Sequence, residues 1–218
     1  MPTEHHLKVP RSARYYTLGD DVAAPAEIWM VCHGYGQLAG RFLSHLDAIA
    51  DGRRLIVAPE GLSRFYVDGG GPDGKVGASW MTREDRLLEI EDYVGYLDAV
   101  FETACHPVDR GGAKLTVLGF SQGTATASRW AMRARPRVDR LILWAGLLPP
   151  ELDLGVHRRA LNALDLVLVR GEGDALTGAA AFAEQRAALE AAGVRHRVLT
   201  FDGGHRLDAD VLRRLVTP

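Results

Sequence analysis

A serine stands between two glycines near the middle of the chain, in the stretch GFSQG at positions 119–123. The strand-forming run Lys114–Gly119 precedes it and small residues follow, which predicts a sharp strand-to-helix turn. Larger side chains two residues to either side of such a turn would collide, so glycine is favoured at both positions. The turn would expose the Ser121 hydroxyl beside a helix N-terminus, which stabilises a developing oxyanion. Ser121 is the candidate nucleophile, and an ordinary glycine-rich loop is the alternative.

A serine hydroxyl needs a neighbouring base that accepts its proton before it can act as a nucleophile. Among the eight histidines, only His205 follows a strand late in the chain, after the run Val194–Phe201. His33 belongs to a glycine loop, His196 lies inside a strand, and the others lie in the N-terminal segment, in helices or in loops. His205 is therefore the candidate general base, and a solvated loop histidine is the alternative.

A carboxylate must orient the imidazole and stabilise its charged form. Asp174 comes after the apolar run Leu164–Val169, in the stretch RGEGDA. Glu172 is its nearest rival and Asp202 a more distant one, and an N-cap of the next helix is the plain alternative for Asp174. Nucleophile, acid and base then follow one another along the chain in the order expected for a triad on a parallel sheet.

Acyl transfer also needs two backbone N–H groups aimed at the carbonyl oxygen. The residue after the nucleophile, Gln122, offers one of them. The stretch HGYGQ at positions 33–37 follows the strand-like run Glu27–Cys32, and its glycines let the backbone approach closely. Tyr35 is the predicted second donor, through its amide, and a plain glycine turn is the alternative.

The elements that must position these residues alternate along the chain. Near-continuous apolar runs predict strands covered on both faces, as in a parallel sheet. These runs are Glu27–Cys32, Arg54–Ala58, Lys114–Gly119, Leu141–Ala145, Leu164–Val169 and Val194–Phe201. Helices are predicted between them, and the alternation indicates an α/β protein with a doubly wound, mostly parallel sheet and helices on both faces. Ligands bind such sheets beyond the carboxyl ends of the strands.

Several local features are predicted with less support. His6–Val9 and Arg14–Thr17 predict an antiparallel entry hairpin. Thr82, with Asp85 three residues later, predicts a helix start. One apolar face is predicted for that helix, made of Leu87, Ile90, Val94, Leu97, Phe101 and Ala104. The other predicted helices are Gln122–Ala134, Leu176–Ala192 and Leu207–Val216.

Composition limits the class of protein. The chain has 218 residues, 47% of them hydrophobic, and a net charge of −2, which suits one globular domain over residues 1–218. No basic stripe predicts a nucleic-acid partner, and no run approaches the ~18 apolar residues of a membrane span. The two cysteines, Cys32 and Cys105, and the absence of a signal-peptide pattern predict a cytoplasmic protein.

The motifs together resemble the carboxylesterase, lysophospholipase and acyl-protein thioesterase group of small α/β-hydrolases. VCHGYGQ, APEG, GFSQG, GEGD and GGH carry the resemblance over nearly the whole chain, and GFSQG is the most specific of them. The resemblance implies an α/β-hydrolase fold without a large cap domain. It also implies Ser121 as nucleophile, Asp174 as acid and His205 as base, with the amides of Tyr35 and Gln122 as the oxyanion hole.

Four positions, in three of the motifs, depart from the pattern of the group. Thr124 stands where a second glycine usually follows GFSQG, Tyr35 and Gln37 replace the leucine and aspartate of HGLGD, and Arg170 begins the stretch that usually opens with histidine. None of these changes removes a catalytic atom.

The expected reaction is hydrolysis of a small-molecule carboxylic ester of short to medium acyl chain through an acyl-enzyme, by a monomer or homodimer and without metal or organic cofactor. The glycine-rich stretch Arg64–Trp80 is predicted to form a loop over the site. Side chains that could bind the acyl chain are Phe65, Tyr66, Trp80, Met81, Leu147 and Leu148, and packing in the core or within loops is the favoured alternative for each.

Other functions stay open at this point. Lysophospholipase or acyl-thioesterase activity would use the same triad. Dienelactone-hydrolase-like or peptidase activity would call for a cysteine nucleophile or a peptide-reading pocket. Cys32 beside His33 does not make a dyad, because strand neighbours point to opposite faces. A non-catalytic binding protein that keeps the fold is the alternative of another class. The adjacent His5 and His6 have no partner ligands in view for a metal site.

Overall fold

The computed structural model describes residues 1–19, 21–71, 73–106 and 111–216. Its centre is a seven-stranded sheet with the strand order β1-β3-β2-β6-β7-β8-β9. These strands are β1 (Tyr15–Leu18), β2 (Glu27–Cys32), β3 (Arg54–Pro59), β6 (Lys114–Phe120), β7 (Arg140–Trp144), β8 (Asp165–Gly171) and β9 (Arg197–Phe201). All neighbouring strands pair in parallel except β1, which is antiparallel to β3. The predicted mostly parallel sheet is confirmed.

Helices cover both faces of this sheet. They are α1 (Ala39–Leu43) with a 3-10 helix (Ser44–Ile49), α2 (Arg86–Cys105), α3 (Gln122–Arg133), α4 (Leu154–Leu161), α5 (Ala179–Ala191) and α6 (Ala209–Val216). Successive strand residues point to opposite faces, so the apolar residues of β2 divide between two cores. Met30 packs in the core under α2, α3 and α5, whereas Trp29 and Val31 pack in the core under α1 and α6.

The sheet changes winding direction between β2 and β6, which are neighbours although β3 follows β2 in the chain. Cys32 of β2 is paired with Gly119 of β6, so the segments that follow these residues leave the sheet side by side. Gly171 of β8 is paired with Phe201 of β9, with the same effect for the segments carrying Asp174 and His205. The strand register therefore brings all four sequence motifs to the same side of the sheet, beyond the carboxyl ends of the parallel strands.

The predicted entry hairpin is wrong. The first strand, Tyr15–Leu18, pairs with β3 rather than with His6–Val9, which has no regular structure. Leu7 and Val9 are exposed, so this short alternating run has no core face to bury. Pro10 follows it directly, and proline removes a backbone donor that strand pairing would need.

The helix predicted to start near Thr82 begins at Arg86. Asp85 has φ 46, a left-handed conformation that a helix interior does not accept. The Thr82 amide donates instead to the Glu89 carboxylate, at 2.6 Å. Leu87 is 68% exposed, contrary to its predicted place on the buried face, because the first turn of α2 lies beyond the core.

The stretch Arg64–Trp80 is not a loop throughout. It contains an antiparallel hairpin made of β4 (Ser63–Tyr66) and β5 (Val76–Ser79). A single bridge joins Gln37 to Ala78 and attaches this hairpin to the segment after β2. Among the described residues, no helix is both long and apolar enough to cross a membrane.

Candidate active site

Ser121 lies in the turn between β6 and α3 with φ 54 and ψ −119. This backbone conformation is rare for a residue with a side chain, and such strain concentrates at functional sites. A Cβ atom on Gly119 would collide with the Gly123 carbonyl, and one on Gly123 would collide with the carbonyl of Cys32. The glycines on either side are therefore required by the crowding of β2, β6 and α3 around the turn.

The imidazole of His205 is hydrogen-bonded to Asp174. Its Nδ1 lies 3.0 Å and 3.1 Å from the two carboxylate oxygens. The loops carrying the two residues are themselves joined, since the Gly173 amide donates to the Gly203 carbonyl at 2.9 Å. The ring of Phe120 packs against the imidazole with centroids 5.0 Å apart. This bond leaves Nε2 of His205 as the ring nitrogen available to a reactant.

Asp174 is held from several sides and is 1% exposed. Its Oδ1 accepts hydrogen bonds from the amides of Leu176 and Thr177, and its Oδ2 accepts one from the Thr177 hydroxyl at 3.0 Å. Burial alone would raise the pKa of Asp174, but the bonds from Thr177 and His205 outweigh it, and the pKa lies below its ordinary value. The carboxylate is thus a fixed negative charge behind the imidazole.

The rival carboxylates lie outside this arrangement. Glu172 is exposed and accepts a hydrogen bond from the Thr200 hydroxyl at 3.2 Å. Asp202 is exposed as well. The helix predicted from Leu176 starts only at Ala179, because the Asp174 side chain caps an isolated turn and Gly178 has φ 70.

Ser121 and His205 line the same surface cleft, which has a volume of about 540 Å³. Among the described residues, none forms a hydrogen bond with the Ser121 hydroxyl, so the hydroxyl faces the cleft without a protein partner. Catalytic hydrogen bonds are often long or misaligned before substrate binds. The cleft is otherwise lined by Thr124, Ala125, Arg129, Ala145, Gly146, Leu147, Leu148, Pro149, Pro150, Leu176 and Thr177.

The amides of Tyr35 and Gln122 have no hydrogen-bonding partner among the described residues. Gln122 is the first residue of α3, where a helix leaves its N–H groups free. A Cβ atom on Gly34 would lie 3.2 Å from the Cβ of Ser121, so the segment after β2 runs beside the serine. Both unpartnered amides therefore belong to segments next to Ser121, and their role as oxyanion donors stays a prediction.

Gln37 and Gln122 connect these two segments to β5 of the hairpin and to the residues that follow it. The Gln122 side chain donates to the Met81 carbonyl at 2.9 Å and accepts from the Trp80 amide at 3.2 Å. The Gln37 side chain accepts from the Gly34 amide at 2.7 Å, and the Gln37 carbonyl accepts from the Ala78 amide. The hairpin is thus a support for the site, a role that its glycine-rich sequence did not suggest.

His33 is fully buried and has a structural position. Its Nδ1 lies 2.8 Å from the Gly34 carbonyl, and its Nε2 accepts a hydrogen bond from the Gly61 amide. The ring packs on Trp80 with centroids 4.9 Å apart. Burial lowers the pKa of His33, so the ring is neutral and both its nitrogens are occupied.

The predicted substrate-binding residues fall into two groups. Leu147 and Leu148 line the cleft. Trp80 does not, because it is 2% exposed and its indole N–H donates to the His33 carbonyl at 2.8 Å. The remaining three also lie outside the lining: Phe65 packs on Tyr35 at 5.0 Å, Tyr66 is 53% exposed, and Met81 contacts Arg129.

The sequence reasoning missed Arg129, which also lines the cleft. Its position four residues after Ala125 on α3 was the available signal, because such residues share a helix face. The histidine pair near the N-terminus lies elsewhere. His6 contacts Glu4 at 3.1 Å and Asp85 at 3.3 Å, and all three side chains are exposed.

Solved structures with this fold include several hydrolases. Zea mays acyl-protein thioesterase 2 is similar with a TM-score of 0.71 and 18% identity, covering 94% of this chain and 98% of that one. A carboxylesterase from Mesorhizobium loti has a TM-score of 0.66 and 19% identity, with 94% of each chain covered. Esterase PE8 has a TM-score of 0.64 and 23% identity, covering 94% of this chain and 95% of its own.

No protein-family model matches the chain, and no curated protein matches it significantly. The similarity to known proteins is therefore one of structure. Together with the mostly parallel sheet and the turn at Ser121, it defines an α/β-hydrolase fold. The structural neighbours include carboxylesterases and an acyl-protein thioesterase, the group that the motifs resemble.

Proposed function

We propose that the protein is a serine hydrolase that cleaves carboxylic esters of short to medium acyl chain. The observation that supports this most is the hydrogen-bonded pair of Asp174 and His205, which lies in one cleft with a strained, unpartnered Ser121. The arrangement has a nucleophile, a base and a carboxylate in separate roles. The carboxylesterases of the same fold favour this chemistry over others.

The reaction would run in two stages through a covalent acyl-enzyme. His205 takes the proton of Ser121 as its oxygen attacks the ester carbonyl, and the amides of Tyr35 and Gln122 stabilise the oxyanion. His205 then gives the proton to the departing alcohol. A water molecule attacks the acyl-enzyme with His205 again as base, which releases the acid and regenerates Ser121. Asp174 stays ionised and stabilises the imidazolium in both stages.

The size and lining of the cleft favour modest acyl groups. Its volume of about 540 Å³ lies within the range of small-ligand sites. Leu147, Leu148 and Leu176 give it apolar walls. A chain of a few methylene groups would be buried there, whereas a long fatty chain would extend into solvent.

The test combines labelling with kinetics. A fluorophosphonate probe should label the wild-type protein at Ser121, with one probe molecule bound per protein molecule, and leave Ser121→Ala unlabelled. Hydrolysis of p-nitrophenyl butyrate by Ser121→Ala should fall by roughly 10³–10⁶-fold, since the nucleophile acts as a unit with its base. A folded wild-type protein that neither takes the label nor hydrolyses any ester of a chain-length series would instead be a binding protein.

Thioester hydrolysis is a second candidate, favoured by the similarity to an acyl-protein thioesterase. The same hydroxyl, base and oxyanion donors attack a thioester carbonyl by the same steps. Comparing kcat/KM for an oxygen ester and a thioester of equal acyl length separates the two. A lysophospholipid in the same series tests lysophospholipase activity.

A further inference from the structure

We propose that Arg129 makes the cleft selective for esters whose acyl chain ends in a carboxylate. This inference rests on the proposed esterase function and adds a substrate class to it. Apart from His205, Arg129 is the one ionisable residue among the lining residues, and the others are apolar, small or hydroxyl-bearing.

Arg129 lines the same cleft as Ser121 but lies further along α3. It follows Ser121 by eight residues on α3, roughly 12 Å along the helix axis. Its side chain points back toward the N-terminus of α3, as helical side chains do. Ala125, one turn earlier on the same face, also lines the cleft. An acyl chain bound to Ser121 and extended along this face therefore ends near the guanidinium.

The guanidinium is held rigidly but keeps hydrogen-bonding capacity. Its Nε and Nη2 contact one carboxylate oxygen of Glu151, at 2.7 Å and 2.6 Å. Its Nη1 donates to the Tyr93 hydroxyl at 3.0 Å and lies 3.3 Å from the Met81 sulfur. No other acceptor among the described residues bonds Nη2, so one of its hydrogens remains for a ligand. Arg129 as a whole is 8% exposed, which makes its orientation fixed before binding.

The local charge is not balanced by Glu151 alone. The second oxygen of Glu151 accepts a hydrogen bond from Arg86 at 3.1 Å. Two guanidinium groups thus share one carboxylate, and one positive charge is left over. A carboxylate at the end of a substrate would supply the missing negative charge and accept a charge-assisted hydrogen bond. A purely apolar acyl chain would gain neither.

The buried position of Arg129 also argues against a purely structural role. Burying the Arg129 guanidinium costs desolvation, and the side chain of its partner Glu151 is 41% exposed, so water screens their attraction and only part of that cost is recovered. Leu147, Leu148, Pro149 and Pro150 line the same cleft with apolar surface. A charged group in a largely apolar lining acts as a selectivity element, because it places one polar contact at a fixed distance from the reacting atom.

The experiment compares ethyl half-esters of glutaric, adipic and suberic acid with neutral ethyl esters of the same chain lengths, by proton release. The wild-type ratio of kcat/KM, half-ester over neutral ester, should reach about tenfold at its best length, as expected for one hydrogen bond to a charged group. Arg129→Met should reduce the ratio to about one or below. Glu151→Gln should increase it several-fold, because it frees the guanidinium from its partner.

Arg133→Met is the matched control, since Arg133 lies one turn further along α3 and is exposed. Its ratio should equal that of the wild type. If Arg129→Met fails to fold, Glu151→Gln decides alone, and an unchanged or lower ratio in that variant overturns the inference. Neutral-ester hydrolysis that depends on Ser121, with no half-ester preference at any length, overturns the inference and leaves the esterase function standing. Failure of every ester and of fluorophosphonate labelling overturns both.

Discussion

Asp174 and His205 are joined by a hydrogen bond of 3.0 Å between Oδ2 and Nδ1. Asp174 follows β8 and His205 follows β9, the last two parallel strands of the sheet. The paired residues Gly171 and Phe201 start the two loops at the same level of the sheet. A Cβ atom on Gly171 would collide with the Gly203 carbonyl, so the loops touch through backbone. The relation between acid and base is therefore built by strand register and close backbone packing rather than by the two side chains alone.

Asp174→Asn should lower kcat of ester hydrolysis by about 10⁴-fold with little change in fold. The amide N–H of asparagine favours the wrong imidazole tautomer, and the neutral side chain no longer stabilises the imidazolium. Steady-state kinetics with p-nitrophenyl butyrate measures the loss. Glu172→Gln is the control, because Glu172 is exposed and faces Thr200. If the control loses as much activity as Asp174→Asn, the assignment of the acid is wrong.

Asp174 should also make stability depend on acid pH. Its pKa is below the ordinary value of 3.8 in the folded protein, so the folded state binds fewer protons there than the unfolded state. This contribution to the free energy of unfolding is fully present above pH ~4 and is lost as pH falls through the lowered pKa. Urea unfolding at pH 7 and at stepwise lower pH, with wild type and Asp174→Asn, measures it. The variant should lose less stability on acidification, and equal losses would contradict the prediction.

Gly119→Ala and Gly123→Ala should each destabilise the protein by about 3 kcal/mol or more, because an added methyl group meets rigid backbone. Gly95→Ala is the matched control. Gly95 lies inside α2 with open space around its Cβ position, so the same change there should stabilise by roughly 0.5–1 kcal/mol. Urea unfolding of the three variants measures the difference. Equal effects at all three positions would contradict the crowding of the Ser121 turn.

The strands that carry the site were predictable, because continuous apolar runs such as Glu27–Cys32 are buried on both faces and need no distant partner to identify them. The β4–β5 hairpin was not, since each strand has only four residues, β4 is half-exposed, and β5 is attached to the segment after β2 by a long-range bridge to Gln37. The prediction placed the helix start near Thr82, too early. Asp85 adopts a positive φ, and an aspartate can adopt this conformation without the sequence requiring it. Arg129 was missed because its spacing places it on one helix face with Ala125 but does not show that this face meets the cleft.

The backbone strain at Ser121 should be measurable as a gain in the stability of the folded protein when the strain is relieved. Glycine adopts φ 54 without strain, so Ser121→Gly should stabilise the fold by about 1 kcal/mol while removing activity. The expected rise in Tm is about 2–4 °C for a protein of this size. Ser128→Gly in the interior of α3 is the control and should destabilise, because glycine weakens a helix interior and the Ser128 hydroxyl bonds the Thr124 carbonyl at 2.7 Å. A lower Tm for Ser121→Gly would mean that the turn stores no strain.

The acyl-chain preference should follow the volume beside Leu147, which lines the cleft together with Ser121. Leu147→Trp fills part of the space that an acyl chain would occupy, so the preferred p-nitrophenyl ester should become shorter. The longest ester that the wild type accepts well should lose about tenfold or more in kcat/KM, since each methylene group excluded from an apolar pocket has an effect of that order. Leu147→Ala should shift the preference the other way. Leu87→Ala, at an exposed position on α2, should leave the profile unchanged. If both Leu147 variants keep the wild-type profile, the acyl chain binds elsewhere, and the cleft holds the alcohol side of the ester instead.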